Sequence, residues 1–170
     1  IVSVNQGSSP ENLVRGINQI SIKGLPFIAI PTTAGSGSEA THFSVVYINK
    51  VKYSLAHDFL LPDFCVLDSE LTMSTPKTIT ANSGIDALCQ SIESIWSVKS
   101  TDDSLKYAKK AIVLILTNIE DSVNLGTKKS RSNMLYASHL AGKAINITKA
   151  TACHATSYPM TSYFGVSHGN

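Results

Sequence analysis

Pro26-Phe27-Ile28-Ala29-Ile30-Pro31-Thr32-Thr33-Ala34-Gly35-Ser36-Gly37-Ser38-Glu39 is where the fold of this chain first shows itself. Its first six residues are an apolar run between prolines, the pattern of a strand buried on both faces. The next eight are nearly all small or hydroxylated, a loop that lets backbone approach a ligand closely. Upstream, Gly7, Ser8, Ser9 and Pro10 form turns, and the stretch from Asn12 to Ile20 carries Leu13, Ile17 and Ile20 at helical spacing. Downstream, residues 43–48 and 52–55 predict a β-hairpin around Asn49 and Lys50, and Phe64-Cys65-Val66-Leu67 predicts another buried strand ending at Asp68. The pattern up to Pro76 is α/β.

After Pro76 helical periodicity takes over to the last residue, which places a domain boundary there: 1–76 and 77–170. One helix is predicted over about 78–97, with Ala81, Ile85, Leu88, Ile92 and Ile95 on its apolar face. A second starts from a Ser100 or Thr101 cap with Leu105, Ala108, Ile112 and Ile115 inward. A third covers about 128–147, with Met134, Leu135, Leu140 and Ala141 among its apolar positions, and a fourth surrounds His154.

Hydrophobic residues make up 43% of the 170, enough for a real core, while charged residues are only 15%. That is well below the roughly 25% of an average soluble chain, so much of the surface is expected to be covered by other protein, as in a homo-oligomer. The chain begins at Ile1 and ends at Asn170 without start or stop patterns, so it reads as an internal piece of something longer. The net charge of +2 comes from dispersed lysines without interleaved aromatics, which argues against nucleic acid as a partner. Cys65, Cys89 and Cys153 form no CxxC pair, which points to a reducing cytoplasm rather than a disulfide framework. No run approaches the roughly 20 apolar residues of a membrane span, and no export signal is evident.

Asp86 and Gln90 stand four apart on one helix face, each offering a side-chain oxygen among small and apolar residues. His154 and His168 follow apolar or small runs rather than charged ones. Imidazole and carboxylate together suit zinc or iron(II), although spacing alone leaves open whether these groups share an ion. His42, His57 and His139 fit no motif and read as structural or solvated.

The run Thr32 to Glu39, Leu61-Pro62-Asp63 with Leu67-Asp68-Ser69-Glu70-Leu71-Thr72, Gly84-Ile85-Asp86-Ala87-Leu88 with Glu93, and the segment from His154-Ala155 through Tyr158-Pro159 to His168-Gly169 resemble the iron-containing alcohol dehydrogenase family in order and spacing. The resemblance implies a dehydroquinate synthase-like architecture: the C-terminal part of an α/β nucleotide-binding domain over 1–76, then the N-terminal part of an all-α metal-binding domain over 77–170. It implies an enzyme that interconverts small alcohols and aldehydes with Fe2+ or Zn2+ and NAD(P). Asp86, His154 and His168 then correspond to metal ligands. Gln90 stands where the family usually has a histidine, so it binds metal through oxygen, binds through water, or contacts the substrate. Tyr158 replaces another frequent histidine as a candidate proton donor. Family precedent assigns Thr32, Thr33, Ser36 and Lys52 to the nucleotide and Leu71 to the nicotinamide ring.

Gln90, Tyr158 and the run from Ala141 to Thr148 look most like the phosphonoacetaldehyde reductase branch, and Lys143, Asn146, Thr148 and Lys149 are candidate phosphonate donors. The alternatives are a glycerol dehydrogenase- or dehydroquinate synthase-like metal enzyme, or a non-catalytic metal-binding module.

Overall fold

The computed structural model describes residues 7–49 and 51–170. The start of the opening stretch and Lys50, expected in the hairpin turn, lie outside the described residues. Helix α1 is short, Pro10–Val14, with the Ser9 hydroxyl accepting from the Asn12 amide. The helix expected as far as Ile20 stops early because Gly16 turns left-handed at φ 72°, and the amides of Ile17 and Asn18 fold back onto the Asn12 carbonyl.

Strand β1, Ile28–Ala29, pairs in parallel with β4, Phe64–Cys65. Both are shorter than the apolar runs containing them, and the expected burial on both faces is not observed. Ile28 is 59% exposed and Phe64 65%. The cause is that the two strands form a sheet by themselves among the described residues, whereas parallel strands are buried by flanking strands and helices. Between them β2, Phe43–Ile48, and β3, Val51–Ala56, form the expected antiparallel hairpin, with Ile48 opposite Val51 and Asn49 at φ 51° in the turn.

Four helices complete the described chain: α2, Lys77–Trp96, α3, Asp102–Asn124, α4, Lys128–Thr148, and α5, Ala152–Phe164. Thr101 and Ser104 cap α3 reciprocally, and Gly126 at φ 63° lets the chain turn into α4. Ala87 of α2, Ala111 and Ile115 of α3, and Met134, Ala137, Leu140 and Ala141 of α4 form one buried cluster. The apolar positions of α4 fall where expected, but α2 turns a different face inward. Ile85 and Ile95 are exposed, while Gly84, Asp86, Gln90, Ser91, Glu93 and Ser94 are buried. Small residues on that side let helices approach: a Cβ on Gly84 would lie 2.8 Å from the Met134 methyl. The face is therefore both the packing face and the carrier of buried polar groups.

The small-residue loop leans directly on these helices. A Cβ on Gly35 would lie 2.7 Å from the Ser83 Cβ. One on Gly37, itself at φ 58°, would lie 2.6 Å from the Gly142 Cα and the Ser138 carbonyl oxygen. Glycine thus permits backbone of the α/β part to touch backbone of α4, which fixes the loop beside the polar face of α2. Buried Glu39, 3.2 Å from His139 Nδ1, and the His42 amide donating to Asn146 Oδ1 at 2.8 Å fasten the same junction.

Candidate metal centre

Helix α2 supplies Asp86, Gln90 and Glu93, one and two turns apart on its buried side. Helix α5 supplies His154 in its first turn, and the segment beyond it returns His168. One ligand atom each from Asp86, His154 and His168 lies within 4.8 Å of the others. Asp86 Oδ1 is 3.2 Å from His154 Nε2 and 3.5 Å from His168 Nε2. Donors at about 2.0–2.1 Å from a tetrahedral ion are spaced about 3.3–3.4 Å apart, so both separations match a shared cation. Among the described residues, His154 Nε2 is buried and makes no hydrogen bond despite its nearness to Asp86, and Gln90 Oε1 is likewise buried without a partner. Burying such atoms unsatisfied is costly, and a cation beside Asp86 Oδ1 would satisfy His154 Nε2. The residues present fit a divalent metal.

Both imidazoles are held by their other nitrogen. Ser157 donates its hydroxyl hydrogen to the His154 carbonyl at 3.0 Å, so at 2.9 Å from His168 Nδ1 it accepts, which leaves the His168 Nε2 lone pair free. The Glu93 carboxylate meets His154 Nδ1 through Oε2 and accepts through Oε1 from the Cys153 amide at 2.8 Å, the His154 amide at 3.3 Å and the Thr151 hydroxyl at 3.0 Å. Burial alone would lower the His154 pKa, but the nearby Asp86 and Glu93 carboxylates outweigh it and raise the value above the ordinary one. Burial pushes the Glu93 carboxyl up, and the His154 charge with the hydrogen bonds from Thr151 and His154 pulls it below its ordinary value.

Gln90 links this cluster to the loop. Its Nε2 donates to Asp86 Oδ2 and to the Ser36 carbonyl, both at 3.3 Å. Two acceptors facing that position require nitrogen there, which fixes Oε1 as the atom without a partner. Tyr158 stacks on His168 at 5.7 Å between ring centroids, and Lys52 Nζ lies 2.9 Å above the Tyr158 ring. Burial first, then Tyr47, Asp86 and Glu93, raise the Tyr158 pKa, so its phenol is a protonated donor at neutral pH. Burial lowers the Lys52 pKa. A cavity of about 110 Å³ opens on the cluster, lined by Asp86, Cys89, Cys153, His154 and His168 among others.

The structure thus brings together Asp86, Gln90, His154, His168, Tyr158, Lys52 and the Ser36 carbonyl. Thr32, Thr33 and Leu71 are exposed and do not line that cavity. The four helix-end residues considered as phosphonate donors do not line it either. Asn146 is occupied by the His42 amide, Thr148 bonds Ser94 at 2.9 Å, and Lys143 Nζ sits 4.5 Å from the Tyr107 ring centroid. Lys149 ends α4 at φ 61°. Sequence reasoning gave no role to Glu93 and Ser157. Their spacing carried the signal: Glu93 lies seven residues after Asp86, and Ser157 three after His154.

Residues 80–170 match the model of the iron-containing alcohol dehydrogenase family, C-terminal, and residues 2–69 match that of iron-containing alcohol dehydrogenase. Long-chain-alcohol dehydrogenase 1 of Geobacillus thermodenitrificans is 38% identical, over 99% of this chain and 43% of its own length. Phosphonoacetaldehyde reductase of Streptomyces viridochromogenes is 34% identical, over 84% of this chain and 37% of its own. Among solved structures, sulfoacetaldehyde reductase from Bifidobacterium kashiwanohense in complex with NAD+ superposes with a TM-score of 0.85 at 38% identity, covering 89% of this chain and 41% of that one. An iron-containing alcohol dehydrogenase from Thermotoga maritima gives 0.90 at 34% identity, covering 99% and 46%. The chain spans about two fifths of the length of the relatives it matches.

Proposed function

The chain belongs to the iron-containing alcohol dehydrogenase family, and we propose that it forms part of a metal-dependent, NAD(P)-linked alcohol dehydrogenase or aldehyde reductase. The observation that carries this reading is the convergence of two imidazole Nε2 atoms on Asp86 Oδ1, with each Nδ1 already held by an acceptor. In it, residues 77–170 hold Fe2+ or Zn2+ through Asp86, His154, His168 and the Gln90 amide oxygen, and residues 1–76 belong to the nucleotide-binding domain. When bound, the ion supplies Lewis-acid polarisation of the substrate oxygen and the nucleotide supplies hydride. Asp86 and the two histidines fix where that oxygen sits. Gln90 keeps Asp86 oriented and ties it to the Ser36 backbone. Tyr158, held protonated by burial, donates a hydrogen bond toward the reacting oxygen. The loop hydroxyls of Thr32, Thr33 and Ser36, the Lys52 amine and the Leu71 side chain contact the nucleotide.

We further propose a small aldehyde with an anionic group, phosphonoacetaldehyde in particular. Gln90 and Tyr158 support this, as do relatives named for phosphonoacetaldehyde and sulfoacetaldehyde, two-carbon aldehydes that both carry an acidic group. Exposed apolar side chains such as Trp96, Val98, Val113 and Leu116 support further protein covering these helices, including a second copy.

The test is NAD(P)H oxidation by the full-length protein with phosphonoacetaldehyde and with propanal, before and after chelation. The expected result is turnover that chelation abolishes and Fe2+ or Zn2+ restores, with a large preference for the phosphonate. Turnover indifferent to chelation would refute the metal reading, and equal activity on both aldehydes would refute the substrate.

A further inference from the structure

Glu93 is the most completely buried carboxylate at the site, with no solvent exposure at all, and it touches no substrate-accessible surface. Its two oxygens divide the work. Oε1 collects the Cys153 and His154 amides and the Thr151 hydroxyl, the donors at the start of α5. Thr151 in turn accepts from the Trp96 indole at 2.9 Å, which ties the end of α2 to the same point. Among the described residues, Oε2 faces His154 Nδ1 alone.

We propose that Glu93 is a positioning residue that sets the metal-binding tautomer of His154; this rests on the metal-site reading above. An imidazole that gives its Nδ1 hydrogen to Glu93 keeps a lone pair on Nε2, the atom beside Asp86. Because Oε1 also fixes the backbone at Cys153 and His154, one side chain controls where the ring starts, how it is turned and which nitrogen is free. Asp86 and Glu93 are seven residues apart on one helix, so the ligand and the residue that aims its partner move as a unit.

Glu93→Gln isolates the tautomer from the fold. The glutamine oxygen is drawn to the three donors at the start of α5, which leaves its NH2 facing Nδ1. Nδ1 must then accept, the hydrogen moves to Nε2, and the lone pair beside Asp86 is lost. Outer partners of metal-bound histidines are worth roughly 10–100-fold in metal affinity.

The experiment measures zinc affinity of the full-length protein by chelator competition for the parent, Glu93→Gln, His154→Ala and the double variant. Circular dichroism of each metal-free protein monitors folding. The expected result is a loss of about 10–100-fold for Glu93→Gln, and a change below about threefold when it is added to His154→Ala. A loss of the same size in both backgrounds would show that Glu93 acts through the fold and not through His154, and would overturn the proposal. Unchanged affinity in Glu93→Gln would overturn it as well. If the parent itself binds no zinc or iron, the metal-site reading fails first, a result separate from either of these. Should Glu93→Gln fail to fold, Glu93→Asp replaces it. The shorter carboxylate keeps the acceptor but withdraws it, so affinity is expected between parent and His154→Ala, and parent-like affinity would count against the proposal.

Discussion

Replacing Gly142 with alanine adds one methyl group where the small-residue loop meets α4. That methyl would lie 2.9 Å from the Gly37 carbonyl carbon and Cα, and closer still to the carbonyl oxygen. Carbon atoms pack comfortably at about 3.5–4.0 Å, so loop and helix must part by roughly 0.6–1.1 Å. Both sides of the contact are backbone, and Ala141 beside it belongs to the buried cluster, so no flexible side chain can absorb the strain. Overpacking of this kind costs about 1–3 kcal/mol. Alanine in place of glycine inside a helix opposes it by about 1 kcal/mol. The net expectation is a loss of up to about 2 kcal/mol, read as a melting transition of the full-length protein lowered by up to a few degrees. Nucleotide affinity should fall with it, because the displaced loop carries Ser36. The signs separate the alternatives: a loop not docked on α4 would leave only the helix gain. A melting temperature raised by a few degrees would refute the docking.

Gln90→His exchanges an amide oxygen for an imidazole, so zinc affinity relative to manganese should rise on the order of tenfold; an unchanged ratio would argue that residue 90 does not reach the ion. Arg131 is buried and donates to Thr80 Oγ1 at 2.6 Å and to the Thr75 carbonyl at 3.2 Å, tying α4 to the start of α2. Arg131→Met should cost about 1–3 kcal/mol in a melting experiment, and no change would mean the tie is idle. The pH dependence of the chelated protein follows from the buried Glu93–His154 pair. Raised His154 contributes stability that is lost as pH rises through its folded value, and lowered Glu93 contributes stability that is lost as pH falls through its own. The pair's full contribution therefore lies between the ordinary glutamate and histidine values of about 4.3 and 6.5. Zinc, which must displace the His154 proton, should bind more tightly as pH rises above that window. Calorimetric melts with and without zinc across pH check both, and zinc stabilisation that is flat with pH would contradict the assignment.

Helices α3 and α4 were legible because hydroxyl caps, Thr101 and Thr127, stand at their starts. Thr101 capped α3 as expected, and α4 begins and ends within a residue of its predicted span. The inward face of α2 was not legible from hydrophobicity, because its buried side is written in glycine, serine and functional polar residues while Ile85 and Ile95 face outward. Periodicity likewise ran past Gly16, whose left-handed backbone ended α1. At the site, spacing suggested Asp86 with Gln90 but could not join them to His154 and His168, more than 60 residues away; the family resemblance did that. Spacing put Glu93 on the face of Asp86 and Ser157 on that of His154, but which histidine nitrogen each one meets shows only in three dimensions.

Anomalous diffraction from crystals of the full-length protein, collected at the absorption edge of its bound iron or zinc, tests the central claim most directly. The result expected is a single strong peak about 2.0–2.3 Å from Asp86 Oδ1, His154 Nε2 and His168 Nε2. A peak elsewhere, or none there in a preparation that reduces aldehyde, would contradict it.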